Sequence, residues 1–159
     1  MALLQKREDA PAPPRPGKPW RTGKPPKEWL DFAKDLFPLL AAAPGCSAGD
    51  FWMLLPAAAL PETKLHILRA GVPAGRAVKG RFEPAHALFM AHGARCRNRE
   101  ELTLADPRTA AWLRGEEIPA QTAAPGWCAV LVDGLPLGGG KVSGGRVKNH
   151  YPKALRNLG

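Results

Sequence analysis

The chain has 159 residues, 45% hydrophobic and 23% charged, with 23 Lys/Arg against 14 Asp/Glu and a formal net charge of +9; its isoelectric point is near 10.0. That length suits one domain around a continuous core, and the cation surplus points to nucleic acid or an anionic surface. No apolar run approaches the ~20 residues of a membrane helix, Ala2-Leu3-Leu4 is too short for a secretory core, and Cys46, Cys96 and Cys128, odd in number and widely spaced, suit neither a disulfide framework nor a zinc knuckle. A cytoplasmic protein with free, mostly buried thiols is expected.

The charge is uneven. Residues 1–27 hold seven Lys/Arg against two Asp/Glu, residues 28–137 eleven against twelve, and residues 138–159 five against none. The middle is neutral and both ends are basic. Residues 1–27, with Pro11, Pro13, Pro14, Pro16, Pro19, Pro25 and Pro26 among lysines and arginines, read as a disordered linker, extended and unable to bury a core. Residues 28–159 read as the folded module, divisible into halves at 28–97 and 98–159.

In chain order, Trp29, Phe32, Leu36 and Leu40 recur every three or four residues and predict an amphipathic helix over 28–40, ended by residues 41–49. The apolar run 51–55, closed by Pro56, reads as a buried strand, and residues 65–68 as another. Pro73 and Gly75 make 72–81 a turn-rich surface segment. Pro84 suits the first position of a helix continuing through 85–91, with Leu88 and Ala91 on one face and Gly93 as its cap. Arg95, Arg97 and Arg99 read as a solvated loop before a short strand at Leu102 and Leu104. A further helix is punctuated by Asp106 as N-cap, Pro107 as first residue and Gly115 after its end. Residues 127–132 form a strand, Asp133-Gly134 supplies the positive φ angles of a tight hairpin, and 135–142 return; Gly144-Gly145 then allows another reversal. Short strands with punctuated helices predict an α+β fold, a small mixed barrel with flanking helices.

Two constellations invite a chemical reading and fail on spacing. Gly134 and Gly140 are separated by five residues and Lys141 is followed by Val142, where a phosphate loop needs four residues and a hydroxyl, so a Gly-rich hairpin is the better reading. His86, His92 and Cys96 lack a fourth ligand and a tight spacing, so no metal site is expected.

The stretch 130–156 carries a resemblance. LGGGK at 137–141, then KNHYPK at 148–153 and Leu155-Arg156, together with Arg69-Ala70-Gly71 and RFEPAHAL at 81–88, resemble the C-terminal region of the RsmF-type methyltransferases that make 5-methylcytosine in small-subunit ribosomal RNA. The family's usual form is close to LGWGK and KNHYPKGLR, so Gly139 stands where it has tryptophan and Ala154 where it has glycine. The resemblance covers about residues 29–156 and implies a PUA-like RNA-binding barrel. It also supplies a test for catalysis: the family uses cysteines in Thr-Cys and Pro-Cys contexts beside a domain that holds S-adenosylmethionine, and the contexts of Cys46, Cys96 and Cys128 are different.

The expectation is a non-catalytic RNA-binding module without a cofactor, the tail of such an enzyme or a stand-alone relative. Its partners would be RNA, small-subunit ribosomal RNA first, and a catalytic methyltransferase domain in cis or in trans. Lys141, Arg146, Lys148, Lys153 and Arg156 are the candidate cations, with Lys148, Lys153 and Arg156 on phosphates. Asn149, His150 and Tyr151 are candidates for base or ribose contact, because an amide reads base edges and rings stack on unpaired bases; against this, Asn149 suits a turn and Tyr151 a core. Arg81 and His86 follow from the resemblance, with packing and capping as the competing roles. A protein-interaction or ribosome-assembly module with solubilising ends is the alternative, and apolar surface between Trp20 and Trp29 would favour it.

Overall fold

The computed structural model of the protein describes residues 20–56 and 70–156. The strand expected at 65–68 and the linker up to residue 19 lie outside them. Order begins ahead of the boundary drawn at residue 28: the Gly23 N–H donates to the Gly45 carbonyl at 2.8 Å, and helix α1 (Lys27–Leu36) buries Trp29, Ala33 and Leu36. The helix stops four residues short of Leu40. Proline disfavours helical backbone in the residue before it, so Phe37, ahead of Pro38, adopts φ −134° and ψ 60°, and Pro38–Leu40 continue as a 3₁₀ turn.

Strands β1 (Gly45–Ala48), β2 (Phe51–Leu54), β3 (Val72–Val78) and β4 (Arg81–Pro84) form a four-stranded antiparallel sheet in that order. Residues 41–49, expected only to end the helix, thus supply a strand. The turn-rich reading of 72–81 is corrected as well. Pro73 is tolerated because β4 pairs with β3 only from Gly75 onward, so at Pro73 the strand has β2 on one side and no β4 on the other. Gly75, at φ 148°, lies so close to the Glu83 carbonyl and the Phe82 ring that a Cβ would overlap them. The real turn is Lys79-Gly80, both at positive φ.

Pro84 closes β4 instead of opening the next helix; α2 (His86–His92) starts after Ala85. Leu88 and Phe89 are its buried residues, while Ala91 is exposed. Gly93 is not a left-handed cap. Its φ is −56° and the chain runs on as a 3₁₀ turn over Gly93–Arg95, where a Cβ would press on Pro136 at 3.1 Å and Ala129 at 3.4 Å. Absence of a side chain lets α2 sit directly on the second sheet.

That sheet comprises β5 (Arg99–Leu102), β6 (Ile118–Pro119), β7 (Gly126–Val132), β8 (Leu135–Ser143) and β9 (Arg146–Asn149) in the order β5-β7-β8-β9-β6. β5 runs parallel to β7 and the other pairs are antiparallel. Helix α3 (Pro107–Arg114) follows its sequence signals: the Asp106 carboxylate accepts from the Arg108 N–H, and Gly115 sits at φ 90°. Leu104, expected in a strand, is 77% exposed beyond the end of β5. Arg95, Arg97 and Arg99 are exposed as expected, while the backbone that carries them is tied down: the Arg97 N–H donates to the Leu36 carbonyl at 2.9 Å, and Arg99 opens β5. Among the described residues, three α-helices and two sheets, one a mixed half-barrel, make an α+β, PUA-like fold.

Two cores share one wall. Trp29, Phe37, Trp52, Phe82, Leu88 and Phe89 pack with Ala129 and Leu131 in the first; Leu102, Trp112, Ile118, Val142 and Val147 pack with Cys128 and Val130 in the second. Because side chains alternate along a strand, β7 feeds both, and Cys128, Ala129, Val130 and Leu131 are each at most 1% exposed. Beside the second core lies a wholly buried carboxylate. Glu100, 0% exposed, accepts from the N–H groups of Gln121, Thr122 and Ala123 at 2.9–3.1 Å and from the Arg108 guanidinium at 2.6 Å. Burial works to raise its pKa, but those hydrogen bonds outweigh it and hold the carboxyl below its ordinary range.

Candidate nucleic-acid interface

The register of β7, β8 and β9 assembles the site. Antiparallel partners share a face, so the pairs Trp127↔Lys141 and Lys141↔Lys148 place an indole and two ammonium groups side by side across three strands. Two residues beyond Lys148, His150 follows on the same face. The Lys141 Nζ stands 6.0 Å from the Trp127 ring centroid, within range of a cation–π attraction. His150 lies 4.5 Å from the same indole, centroid to centroid. Lys141, Lys148 and His150 are exposed.

Below this strip is a pocket of about 70 Å³ lined by Pro84, His86, Phe89, Trp127, Gly139 and His150. Phe89 is stacked beside Trp127 at 6.2 Å, and His86 meets Tyr151 edge-on at 5.5 Å. The Nδ1 of His86 is buried with no hydrogen-bond partner among the described residues. Desolvation lowers the pKa of His86. It also lowers that of His150, helped by Lys141 and Lys148 and opposed by Glu83. Both imidazoles are therefore uncharged at neutral pH, one nitrogen donating and the other accepting. The lining offers rings and amphoteric nitrogens, while the positive charge stands at the rim.

Two family models match the chain: residues 99–157 match the methyltransferase RsmF PUA domain, and residues 31–91 match the RsmF rRNA methyltransferase first C-terminal domain. The chain carries these two C-terminal domains of the RsmF family. Both β7–β9 and the strip lie in the PUA domain, whereas Pro84, His86 and Phe89 come from the first C-terminal domain, so the pocket is at the RsmF domain junction. No curated protein matches the chain as a relative.

Gly139, at the position of the family tryptophan, lies against Phe89 so closely that a Cβ would overlap that ring. The glycine run 138–140 is thus an extended strand pressed between side chains of two cores, with Gly140 backed by Val147 and Trp112. It is not a loop around a phosphate. Among the described residues no group of His, Cys, Asp and Glu could hold a metal ion, and no helix is long and apolar enough to cross a membrane.

The remaining candidates disperse. Arg146, two residues before Lys148 and on the same face of β9, is held by Glu117, donating to its carbonyl at 2.8 Å and pairing with its carboxylate at 3.5 Å. Asn149 points to the other face of β9: its amide donates to the carbonyls of Trp112 and Glu116, and its Oδ1 accepts from the Tyr151 N–H at 2.8 Å. No donor is left for a base edge, and the turn role is the one its geometry fits. Arg156 donates to the Tyr151 carbonyl at 3.2 and 3.3 Å and lies over Gly115. Tyr151 is half-buried against the second core and His86. Lys153 is exposed in a final 3₁₀ turn, and Arg81 is exposed on β4.

Buried Cys128 and Cys96 have raised thiol pKa values, that of Cys128 to about 12, chiefly through desolvation. Such thiols are poor nucleophiles at neutral pH. The residue that sequence reasoning missed is Trp127. Its one signal was an aromatic ring opening a strand that otherwise consists of small and aliphatic side chains.

Proposed function

We propose that this chain is a non-catalytic RNA-binding module, the ribosomal-RNA-recognising tail of a 5-methylcytosine methyltransferase or a stand-alone relative working beside a catalytic domain in cis or in trans. The observation that carries the reading is the exposed strip of Lys141 and Lys148 beside Trp127 and His150, a combination that suits unpaired RNA: cations track phosphates while rings stack on bases. Lys153 and Arg81 are further exposed cations, on the last described turn and on β4. The family's methyltransferase descriptions favour RNA among polyanions. Apolar surface between Trp20 and Trp29 would have favoured the interaction-module alternative, but Trp29 is fully buried and Trp20 half-buried.

Salt dependence tests the proposal. Each phosphate contact on a single strand steepens the fall of log affinity with log salt by about 0.7. Replacing Lys141, Lys148 and Lys153 together with alanine should flatten that slope by about 2 and weaken binding to many RNAs alike. A folded triple variant that keeps both affinity and slope would refute it.

A further inference from the structure

We infer that the pocket between α2 and the β7–β8–β9 sheet is a subsite for one unpaired nucleobase, which enters edge-first beneath Lys141 and Lys148 and lodges against Trp127, Phe89 and the imidazoles of His86 and His150. The inference rests on the RNA-binding reading and adds to it where a base goes. Three features select this occupant. The walls are flat rings: Phe89 and Trp127 are inclined by only 29°, and His150 closes on Trp127 at 4.5 Å. Neither a carboxylate nor an ammonium lines the pocket, and two imidazoles alone make an incomplete metal site, so the lining suits a neutral ring with a polar edge better than a metal ion or a phosphate. That edge has something to meet, since the imidazoles of His86 and His150 line the pocket and offer donor and acceptor nitrogens.

Size and placement agree. About 70 Å³ admits a few waters, and the leading edge of one ring can displace them, leaving sugar and phosphate at the mouth where Lys141 and Lys148 stand. The pocket also depends on Gly139. Phe89 occupies the place a Cβ would take there, so backbone and ring form a continuous floor.

The test uses the full chain and a short single-stranded RNA in which one 2-aminopurine is flanked by abasic riboses, with an all-abasic strand of equal length as the reference. Affinity is read from the anisotropy of a terminal dye, and base insertion from 2-aminopurine emission. The probe strand should bind more tightly than the reference, and its emission should be quenched on binding. His150→Ala, which removes an exposed ring and leaves both cores intact, and Trp127→Leu should each weaken the probe about five- to 150-fold, the range for one base–aromatic stack. The salt slope should stay unchanged, and affinity for the reference should hardly move. Equal affinity for the two strands, or quenching that survives in folded His150→Ala and Trp127→Leu, would overturn the subsite while leaving the cationic strip in place. Failure of both strands to bind would remove the RNA-binding reading itself, and the subsite with it.

Discussion

The two faces of the β8–β9 hairpin differ more than two neighbouring stretches of sequence would suggest. One face shows Lys141, Lys148 and His150 to solvent; the other drives Val142, Val147 and Asn149 into the second core or against its backbone. Five cations in the last 22 residues look like one basic patch in the sequence, yet their own partners and the closing turn divide them: strand periodicity puts Arg146 on the face of Lys141 and Lys148, but Glu117 holds it. Lys141 and Lys148 are free to meet phosphate, whereas Arg146 and Arg156 serve the protein's own carbonyl groups. Charge count alone therefore overstates the proposed RNA site, and the hydrogen bonds made by each cation show which ones remain available to it.

The division can be broken most forcefully behind the sheet. Glu100→Ala strips the buried anion from Arg108 and from three backbone N–H groups. Removing one member of a buried pair costs about 3–5 kcal/mol, and because Asp106 still pairs with Arg108 at 2.7 Å the low end, about 3 kcal/mol, is expected in denaturant unfolding. RNA affinity of the molecules still folded should be unchanged. Asn149→Ala comes next: it leaves the Trp112 and Glu116 carbonyls and the Tyr151 N–H without their partner, at about 1–3 kcal/mol by the same measurement.

Acid should act more gradually. His86, His92 and His150 have folded-state pKa values below 6.5, so the unfolded chain binds their protons first. The stability they contribute is full above pH 6.5 and is lost as pH falls below it. Glu100, with a folded pKa below 4.5, adds a second loss as pH drops below that value. The thermal transition should be flat near pH 8 and descend in two stages; a transition that rises between pH 7 and pH 5 would contradict the partly desolvated imidazoles. The smallest effect on folding sharpens the contrast most. Lys148→Ala, one residue from Asn149, should shift stability by no more than about 0.5 kcal/mol while flattening the RNA salt slope by about 0.7.

Much of the frame was legible because local chemistry dictated it. Asp106-Pro107 and Gly115 bound α3 as expected, Asp133-Gly134 turned the β7–β8 hairpin at φ 49° and 79°, and the apolar run through Val132 is a buried strand. The losses came where distant chain decides. Pro73 and Gly75 are turn signals in isolation, and only pairing with β2 and β4 makes their segment a strand. The site was hidden by a single irregularity: β7 and β8 pair Val132↔Leu135 and Leu131↔Pro136, then shift between Val130 and Leu131 so that Trp127 meets Lys141. An unbroken ladder would have put Gly140 there and turned Lys141 to the opposite face. Glu100 was equally hidden, since an acidic residue among arginines reads as solvated until the 121–123 backbone closes over it.

The shared wall at β7 has a consequence for how the protein comes apart. Ala129 and Leu131 complete the core of the segment matched as the first C-terminal domain, although they belong to the segment matched as the PUA domain. The first segment does not own all of its interior, whereas the second core is built wholly from the PUA segment, on the other face of the same strand. Melting one strips a face of the strand on which the other is built, so the two should open as a single cooperative unit, with amide protons of α1 and of β9 exchanging at the same global free energy. A chain cut between residues 91 and 99 would then leave the first piece without the wall that closes its core and the second with one face of that wall bare, much as two halves of a zip need a common seam.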